Sequence, residues 1–562
     1  MGDEETRQTP PAGKTAEPTK APPVDEAELG EGLREERGRL IRSAGTVGGM
    51  TLVSRLLGLA REMLYAAVFG AGAVNDAFRI AYAIPYFFRR VLGENAMASY
   101  FLPTFVDIKE NRGDTAAWDL ANNTFNALLL VTTLLAGIFA LFAPQILRVI
   151  APGFVEAGNL ELAADLTRLM VPFMITMSLA AVLMSLLNAH RRFALPSSGP
   201  IVLNIVFILG LYTLAPLFGD ERPEMIYGMA LAVVVGGLMQ VLTLGIGARR
   251  VGWRWKPRLS FKAPGLRRVM RLMVPALVGL AVTRINLLID NALASLLGEG
   301  TISALNYSER LLQFPLGIFG VGLATAVLPA LSTYAARKQW KPLGETFNHA
   351  LRLALLVAVP ATVGLVVLRE PLTALFFQRG AFEAVATGRT AWALLFYALG
   401  LTAYIGVHVT VPVFYAQKDT KTPVIAAAVA VVVNIGGDLA LMWSLGEGGL
   451  ALASAAAAFV NWGILLYILR RRMGRLGFKR ILKSGLKILV SALGMGAALF
   501  FFLRWIAFSP ETARLGDKLL GGLGGAALGA GVYLGLCRLL RLPELSEITR
   551  LLPGLRRRMR KP

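Results

Sequence analysis

Apolar residues recur along the chain in runs of about 20 or more, the length an α-helix needs to cross about 30 Å of hydrocarbon. Gly, Pro and clusters of charge separate the runs. The pattern predicts fourteen helical spans, at roughly 43–69, 74–106, 117–145, 162–189, 198–218, 225–248, 266–297, 301–334, 346–369, 388–415, 422–444, 449–470, 484–507 and 518–540. The second is long and is expected to break near Gly93. Residues 1–33 are polar, Pro-rich and acidic, too poor in apolar surface to fold, and predict a disordered tail. They also lack the basic start and short apolar run of a cleaved signal peptide. The expected fold class is an all-α polytopic membrane protein.

Composition supports this reading. Of 562 residues, 55% are hydrophobic and only 17% charged, with a mean hydropathy of +0.57; ordinary soluble domains carry about 25% charged residues. One cysteine, Cys537, excludes a disulfide framework, and three histidines without cysteine partners leave little for a transition-metal centre. The chain has no GxxxxGK[ST], no HExxH and no nucleophile beside a base, so neither ATP hydrolysis nor covalent catalysis is expected. The expected protein is not an enzyme.

The net charge of +22 is unevenly placed. Odd-numbered loops such as 70–75, 152–161, 298–300 and 446–449 carry no cation, whereas even-numbered loops are basic. The sixth holds Arg249, Arg250, Arg254, Lys256, Arg258, Lys262, Arg267, Arg268 and Arg271, and the twelfth holds Arg470, Arg471, Arg472, Arg475, Lys479, Arg480 and Lys483. The positive-inside rule places the even loops and both termini in the cytoplasm. The ninth loop resists, since it carries Arg369, Arg379 and Arg389 yet falls outside. Attraction to anionic lipid accounts for these clusters better than nucleic-acid binding, because no soluble domain carries them.

Two stretches repeat. Gly70-Ala71-Gly72 is followed 33 residues after Gly70 by Pro103, and Gly298-Glu299-Gly300 is followed 31 residues after Gly298 by Pro329. Each marks the turn between the first two spans of a six-span block, so two six-helix lobes are expected, related by a parallel pseudo-two-fold along the membrane normal. The predicted organisation is a tail (1–40), an N-lobe (41–250), a C-lobe (251–480), two further C-terminal helices (481–542) and a basic tail (543–562). The Gly521–Gly525, Gly529 and Gly531 series fits close helix packing, with a smooth groove for a lipid chain as the sharper alternative.

Ionisable groups within spans are costly and face a polar cavity or a partner. Here they gather on the first two helices of each repeat: Arg55, Arg61 and Glu62; Asp76, Arg79, Arg89, Arg90 and Glu94; Arg284 and Asp290; Glu309 and Arg310. Arg55 and Glu62 are seven apart and share a face, with Arg61 directed elsewhere. Arginines outnumber acids, so the cavity is expected to be positive and to suit an anion, phosphate above all. Asp76 and Arg79, three apart, are expected to pair and lock helices. In the other half, Asn434 and Asp438 share a face, with Asp290 in the seventh span and Ser454 in the twelfth. Oxygen ligands from three helices suit a hard cation such as Na⁺, or protons, and equally serve interhelical hydrogen bonds.

The segment Ser54-Arg55-Leu56-Leu57-Gly58-Leu59-Ala60-Arg61-Glu62, with Phe69-Gly70-Ala71-Gly72, Asp76-Ala77-Phe78, Pro85, Arg89-Arg90 and Glu94, resembles the MurJ (MviN) lipid II flippases of the multidrug/oligosaccharidyl-lipid/polysaccharide exporter superfamily. Phe193-Ala194-Leu195-Pro196, Glu309-Arg310-Leu311, Phe377-Gln378-Arg379-Gly380-Ala381-Phe382 and Phe414–Pro423 extend the resemblance to about Ala455. It implies an inner-membrane transporter of bacterial cell-wall synthesis, moving lipid II, the undecaprenyl-diphosphate-linked peptidoglycan precursor, to the outer leaflet by alternating access. The membrane potential or a cation would drive the cycle. It implies substrate-binding roles for Arg55, Arg61, Arg89 and Arg310, with Asp76, Glu94 and Glu62 as the accompanying acids. It further implies a sodium site at Asp290, Asn434, Asp438 and Ser454, with Leu450 at a backbone-carbonyl position, and a lipid-tail groove on the last two helices. No organic cofactor and no partner beyond lipid II and membrane lipids are implied, and a monomer is expected. Flippases for other polyprenyl-linked oligosaccharides share the diphosphate, and a cation-coupled drug exporter is the more distant alternative. Glu62 stands where Asp is usual, Asn95 replaces a glycine, Arg79 replaces an apolar residue and Arg284 adds a charge.

Overall fold

The computed structural model describes residues 26–89, 97–474 and 477–545, giving the backbone alone for 26–44, 264 and 274–285. Among the described residues the chain forms fourteen long helices and no strand. They are α1 (Glu26–Phe69), α2 (Ala73–Phe88), α3 (Met97–Leu141, two helical stretches that meet at the non-helical Gly113, φ +83°), α4 (Leu160–Ala189), α5 (Ala194–Thr213), α6 (Arg222–Arg250), α7 (Pro264–Ser295), α8 (Thr301–Ala336), α9 (Trp340–Val367), α10 (Ala384–Ala416), α11 (Lys421–Leu445), α12 (Glu447–Met473), α13 (Phe478–Trp505) and α14 (Leu515–Leu539). Eleven of these are long and apolar enough to cross a bilayer. The other three, α1, α2 and α7, carry much of the charge singled out in the sequence. The expected break at Gly93 and the candidate Glu94 lie outside the described residues, as does the side chain of Arg284.

Helix α1 begins at Glu26, inside the stretch expected to be a tail. The segment from Glu26 to Arg42 is rich in Glu, Arg and Leu, which favour helix whether or not they are buried. A polar composition limits burial but does not prevent a helix.

Helices α1–α6 pack on one another, and so do α8–α12, while α7 touches α3, α8 and α11 and so contacts both groups. Small residues allow the close approaches, as expected where lipid removes any hydrophobic drive between helices. Gly210 of α5 lies on Ala232 of α6, Gly400 of α10 on Ala455 of α12, and Gly437 of α11 on Ala453 of α12. Large apolar side chains such as Leu134, Leu209, Val432, Trp443 and Phe501 point outward and are exposed, as a lipid-facing surface requires. Helix α13 docks on α9, and α14 on α13. The glycines of α14 serve packing: Gly521 meets Phe508 and Pro371, Gly522 meets Leu375, Gly525 meets Leu368 and Gly529 meets Leu499.

The three arginines of the ninth loop are committed to local contacts. Arg369 donates to the carbonyl of Val366 at the end of α9, and Arg379 to Leu375 and Phe376 at the end of a short helix, Arg369–Phe376. Arg389 pairs with Glu447 of α12 at 3.0 Å. Cations at helix C-termini and in ion pairs are stabilised where they stand, which explains a cationic loop that breaks the charge alternation. The loop between α10 and α11 is fixed similarly. The Asp419 carboxylate accepts from the Thr422 amide (3.0 Å), the Thr422 hydroxyl and Arg472, which hold it at a pKa of about 2.

Candidate functional site

Two glycine turns form a seam at one end of the bundle. Gly70 (φ +64°) and Gly300 (φ +81°) occupy left-handed conformations, and a side chain on either would strike backbone, Ala381 in one case and Ala71 in the other. Across this seam the fully buried Asp76 of α2 accepts from the Gly300 and Ser303 amides at 2.6 and 2.7 Å and from the Ser303 hydroxyl, capping the N-terminus of α8. Asn75 donates to Tyr307, and the Ala381 amide donates to the carbonyl of Ala67 at 2.7 Å. Asp76 does lock helices, but through α8 backbone rather than through Arg79; the expected Asp76–Arg79 pair is not formed. Asp76→Asn presents an amide to donors and is expected to cost about 1–3 kcal/mol. Hydrogen exchange at Gly300–Ser303 should accelerate accordingly.

The arginine cluster lies inward of the seam. Glu62 sits eight residues before Gly70 and Arg310 ten after Gly300, a depth of about 12–15 Å at 1.5 Å per residue, close to half the hydrocarbon thickness. Three guanidiniums share the Glu62 carboxylate: Arg61 at 2.7 Å and Arg310 at 3.2 Å on Oε1, and Arg79 at 3.3 Å on Oε2. Aromatic faces support two of them, with Arg61 4.9 Å from the centre of Phe207 and Arg79 4.3 Å from that of Tyr307. Arg79 also donates to Asn75 at 2.9 Å. Three cations on one carboxylate leave two positive charges in excess. Arg61 and Arg79 are mostly buried, at 15% and 12% side-chain exposure, whereas Arg310 is 42% exposed.

Arg55 lies about two turns further from the seam than Glu62 and is exposed, with no ion-pair partner among the described residues. Its guanidinium packs against Gly317, where an added Cβ would approach Nη1 to 2.6 Å. Gly317 belongs to a π-helical turn, Leu316–Gly320, that interrupts α8 after Pro315; such bulges are frequent at functional sites. Helical periodicity had grouped Arg55 with Glu62 and set Arg61 apart, and the structure reverses this. Periodicity locates Cβ, but a guanidinium on its long flexible stem reaches across a face boundary, and Phe207 holds Arg61 there. Arg89 lies 5.7 Å from the Tyr86 ring centre, outside the Glu62 cluster. Glu309 accepts from Gln313. Leu52, Leu56, Phe314 and Ile318, near the level of Arg55, are exposed as well.

The second constellation is assembled by α7, α11 and α12. Asn434 donates to Asp438 Oδ2 at 2.6 Å and accepts from Ser454 at 3.4 Å. Asn286, one turn before Asp290, joins the two groups by donating to Asp290 Oδ2 (3.2 Å) and to Asn434 Oδ1 (3.1 Å). Sequence reasoning missed Asn286, although its spacing of four from Asp290 puts both on one face. Leu450 is buried on α12. Three buried oxygens find no donor among the described residues: Asn286 Oδ1, Asp290 Oδ1 and Asp438 Oδ1. Acceptor-only oxygens left in this way fit a hard cation.

The sequence profile of the family described as "Lipid II flippase MurJ" matches residues 65–512. A protein of Vibrio cholerae named "Probable lipid II flippase MurJ" is 36% identical over 76% of this chain and 82% of its own length. A solved structure, "Lipid II flippase MurJ, inward closed conformation", superposes with a TM-score of 0.74 at 26% identity, covering 88% of this chain and 98% of the other. An inward-facing multidrug resistance MATE family transporter of the MOP superfamily shares the fold, with a TM-score of 0.63 at 16% identity over 75% of this chain and 95% of its own. The chain is a multi-pass membrane protein that belongs to the MurJ lipid II flippase family.

Proposed function

We propose that this chain carries lipid II from the cytoplasmic to the outer leaflet, and that its Arg55/Arg310 face receives the diphosphate. The observation that carries the reading is the Glu62 cluster, in which three guanidiniums share one carboxylate near mid-membrane depth. Uncompensated guanidiniums in a low-dielectric cavity favour an anion, and their planar forks match phosphate oxygens. Arg310 and Arg55 present donors to the open side, while Arg61 and Arg79 hold the carboxylate that fixes the cluster. The basic loops favour the cytoplasm for the open side and the outside for the Gly70/Gly300 seam. Substrate entry then neutralises the cluster and lets the two helix groups rock about α7 until the Asp76 seam opens. No covalent bond is made or broken; the work is transport.

The reading is tested by depleting the resident flippase of a bacterium, supplying this chain, and following labelled precursor. Restored lipid II at the outer leaflet supports it; continued accumulation on the inner leaflet overturns it. Other polyprenyl-diphosphate oligosaccharides would dock on the same arginines, and supplying them as competitors separates the two substrates. The superfamily's drug exporters share the fold, but cationic substrates would be repelled by this cluster.

We further propose that Na⁺ binds among Asn286, Asp290, Asn434, Asp438, Ser454 and the Leu450 carbonyl. The three unpartnered oxygens support this reading. Ion binding there would draw α7 toward α11 and α12 and bias the same rocking motion. Sodium at about a hundred times its Kd is expected to stabilise the purified protein by about 2.7 kcal/mol. Asp438→Asn should abolish the sodium-dependent rise in Tm, and an unchanged rise would contradict the site.

A further inference from the structure

At the end remote from the seam, α9, α13 and the chain leaving α14 border an open cavity of about 320 Å3. Four cations, Arg352, Arg480, Lys483 and Lys487, line it against a single acid, Glu544. One wall is rigidly built. Glu544 is fully buried and pairs with Arg352, Ser484 donates to the same carboxylate oxygen at 2.7 Å, and Arg352 Nε donates to Asn348 at 3.0 Å. Lys487 donates to the carbonyl of Leu540 at 2.9 Å, tying α13 to the end of α14. Arg480 and Lys483 are exposed and have no partner among the described residues. The lining therefore carries three positive charges in excess, two of them with unused donors.

Helix geometry gives the cavity a neighbour. Arg480, Lys483 and Lys487 are spaced three and four apart on one stripe of α13. Leu482, Leu486, Leu489 and Leu493 form the adjoining stripe and are 65%, 62%, 43% and 57% exposed. A basic stripe of about 10 Å thus runs beside an apolar stripe that continues into the membrane. The volume equals about ten waters, far more than a bare phosphate needs.

We propose that this cavity binds the phosphodiester headgroup of an anionic phospholipid, whose acyl chains lie along the leucine stripe of α13. Arg480 and Lys483 take the phosphate oxygens, and the Arg352–Glu544 pair shapes the floor. The site is distinct from the Glu62 cluster and does not depend on what the cluster transports. A resident lipid here staples α14, through Lys487 and Leu540, to the outer face of α9.

The test compares full-length protein with the Arg480→Gln/Lys483→Gln variant in nanodiscs of phosphatidylcholine containing a minority of phosphatidylglycerol. Lipid retained after release into detergent is counted by native mass spectrometry. The wild type is expected to keep one phosphatidylglycerol, and the variant to hold it about thirtyfold more weakly. Arg249→Gln/Arg250→Gln, which removes two exposed cations elsewhere, should retain it normally. Because the exchanged side chains are exposed, the variant is expected to elute as the wild type does and, once both are stripped of lipid, to melt at the same temperature. Equal retention by wild type and variant, or equal retention of phosphatidylcholine, would overturn the proposal. So would complete displacement by inorganic phosphate, which would mark a small-anion site, or by stoichiometric undecaprenyl diphosphate, which would mark a substrate site.

Discussion

Alanine at Arg310 or at Arg55 is expected to abolish the ability of this chain to sustain cell-wall synthesis while leaving its abundance in the membrane unchanged. Arg310 is the most exposed member of the Glu62 cluster, and Arg55 has no ion-pair partner among the described residues. The Arg310 pair with Glu62 is half exposed and contributes little stability, and Arg55 makes no ion pair among the described residues. Each lost charge-assisted contact to a diphosphate removes about 1.5–3 kcal/mol, and a bidentate pair loses two, so transport should fall at least a hundredfold. Lysine at the same positions should restore little, since an ammonium keeps the charge but not the planar fork. Growth of a flippase-depleted strain, with immunoblots for membrane abundance, reads both parts. Arg61→Ala should behave differently, lowering stability together with transport, because Arg61 holds Glu62 at 2.7 Å and stacks on Phe207.

Glu62→Gln is expected to produce the largest loss of stability of any single polar substitution in the cluster. The carboxylate is 9% exposed and is the common partner of Arg61, Arg79 and Arg310. Neutralising it leaves buried guanidiniums facing one another without a counter-charge, at a cost of about 3–5 kcal/mol. Most of that arises at Arg61 and Arg79, because the Arg310 contribution is screened by solvent. Removing a second charge should repair the first loss. Arg79→Leu in the Glu62→Gln background is expected to recover stability through a coupling of about 0.5–3 kcal/mol, although it forfeits the Tyr307 face. Thermal unfolding of the two single variants and the double variant gives the coupling directly, and strict additivity would show that Arg79 and Glu62 act independently.

The helices were legible where lipid alone dictates the residues. The apolar runs of α3–α6 and α8–α14 meet the length and hydropathy of a span. Helices α1, α2 and α7 fall short of that measure because charged residues stand among their apolar side chains. Which residues form the site could be read from the cost of burying charge; how they pair could not. The Arg61–Glu62 contact depends on the reach of a long side chain and on Phe207, 146 positions away in the chain. Asp76 was readable as buried and locking, but its partners are backbone amides of α8, which periodicity does not address. Asn286 went unnoticed because an amide within a span attracts less attention than a carboxylate. Yet it connects Asp290 to Asn434 and leaves an oxygen free.

Purified protein titrated with undecaprenyl diphosphate, undecaprenyl monophosphate and undecaprenol would establish whether the arginines read the diphosphate. Wild-type protein is expected to bind the diphosphate most tightly and the alcohol least, with affinity falling as salt rises. The Arg55→Ala/Arg310→Ala variant should bind all three alike. Diphosphate binding by that variant as tight as by the wild type would contradict a docking role for these two side chains.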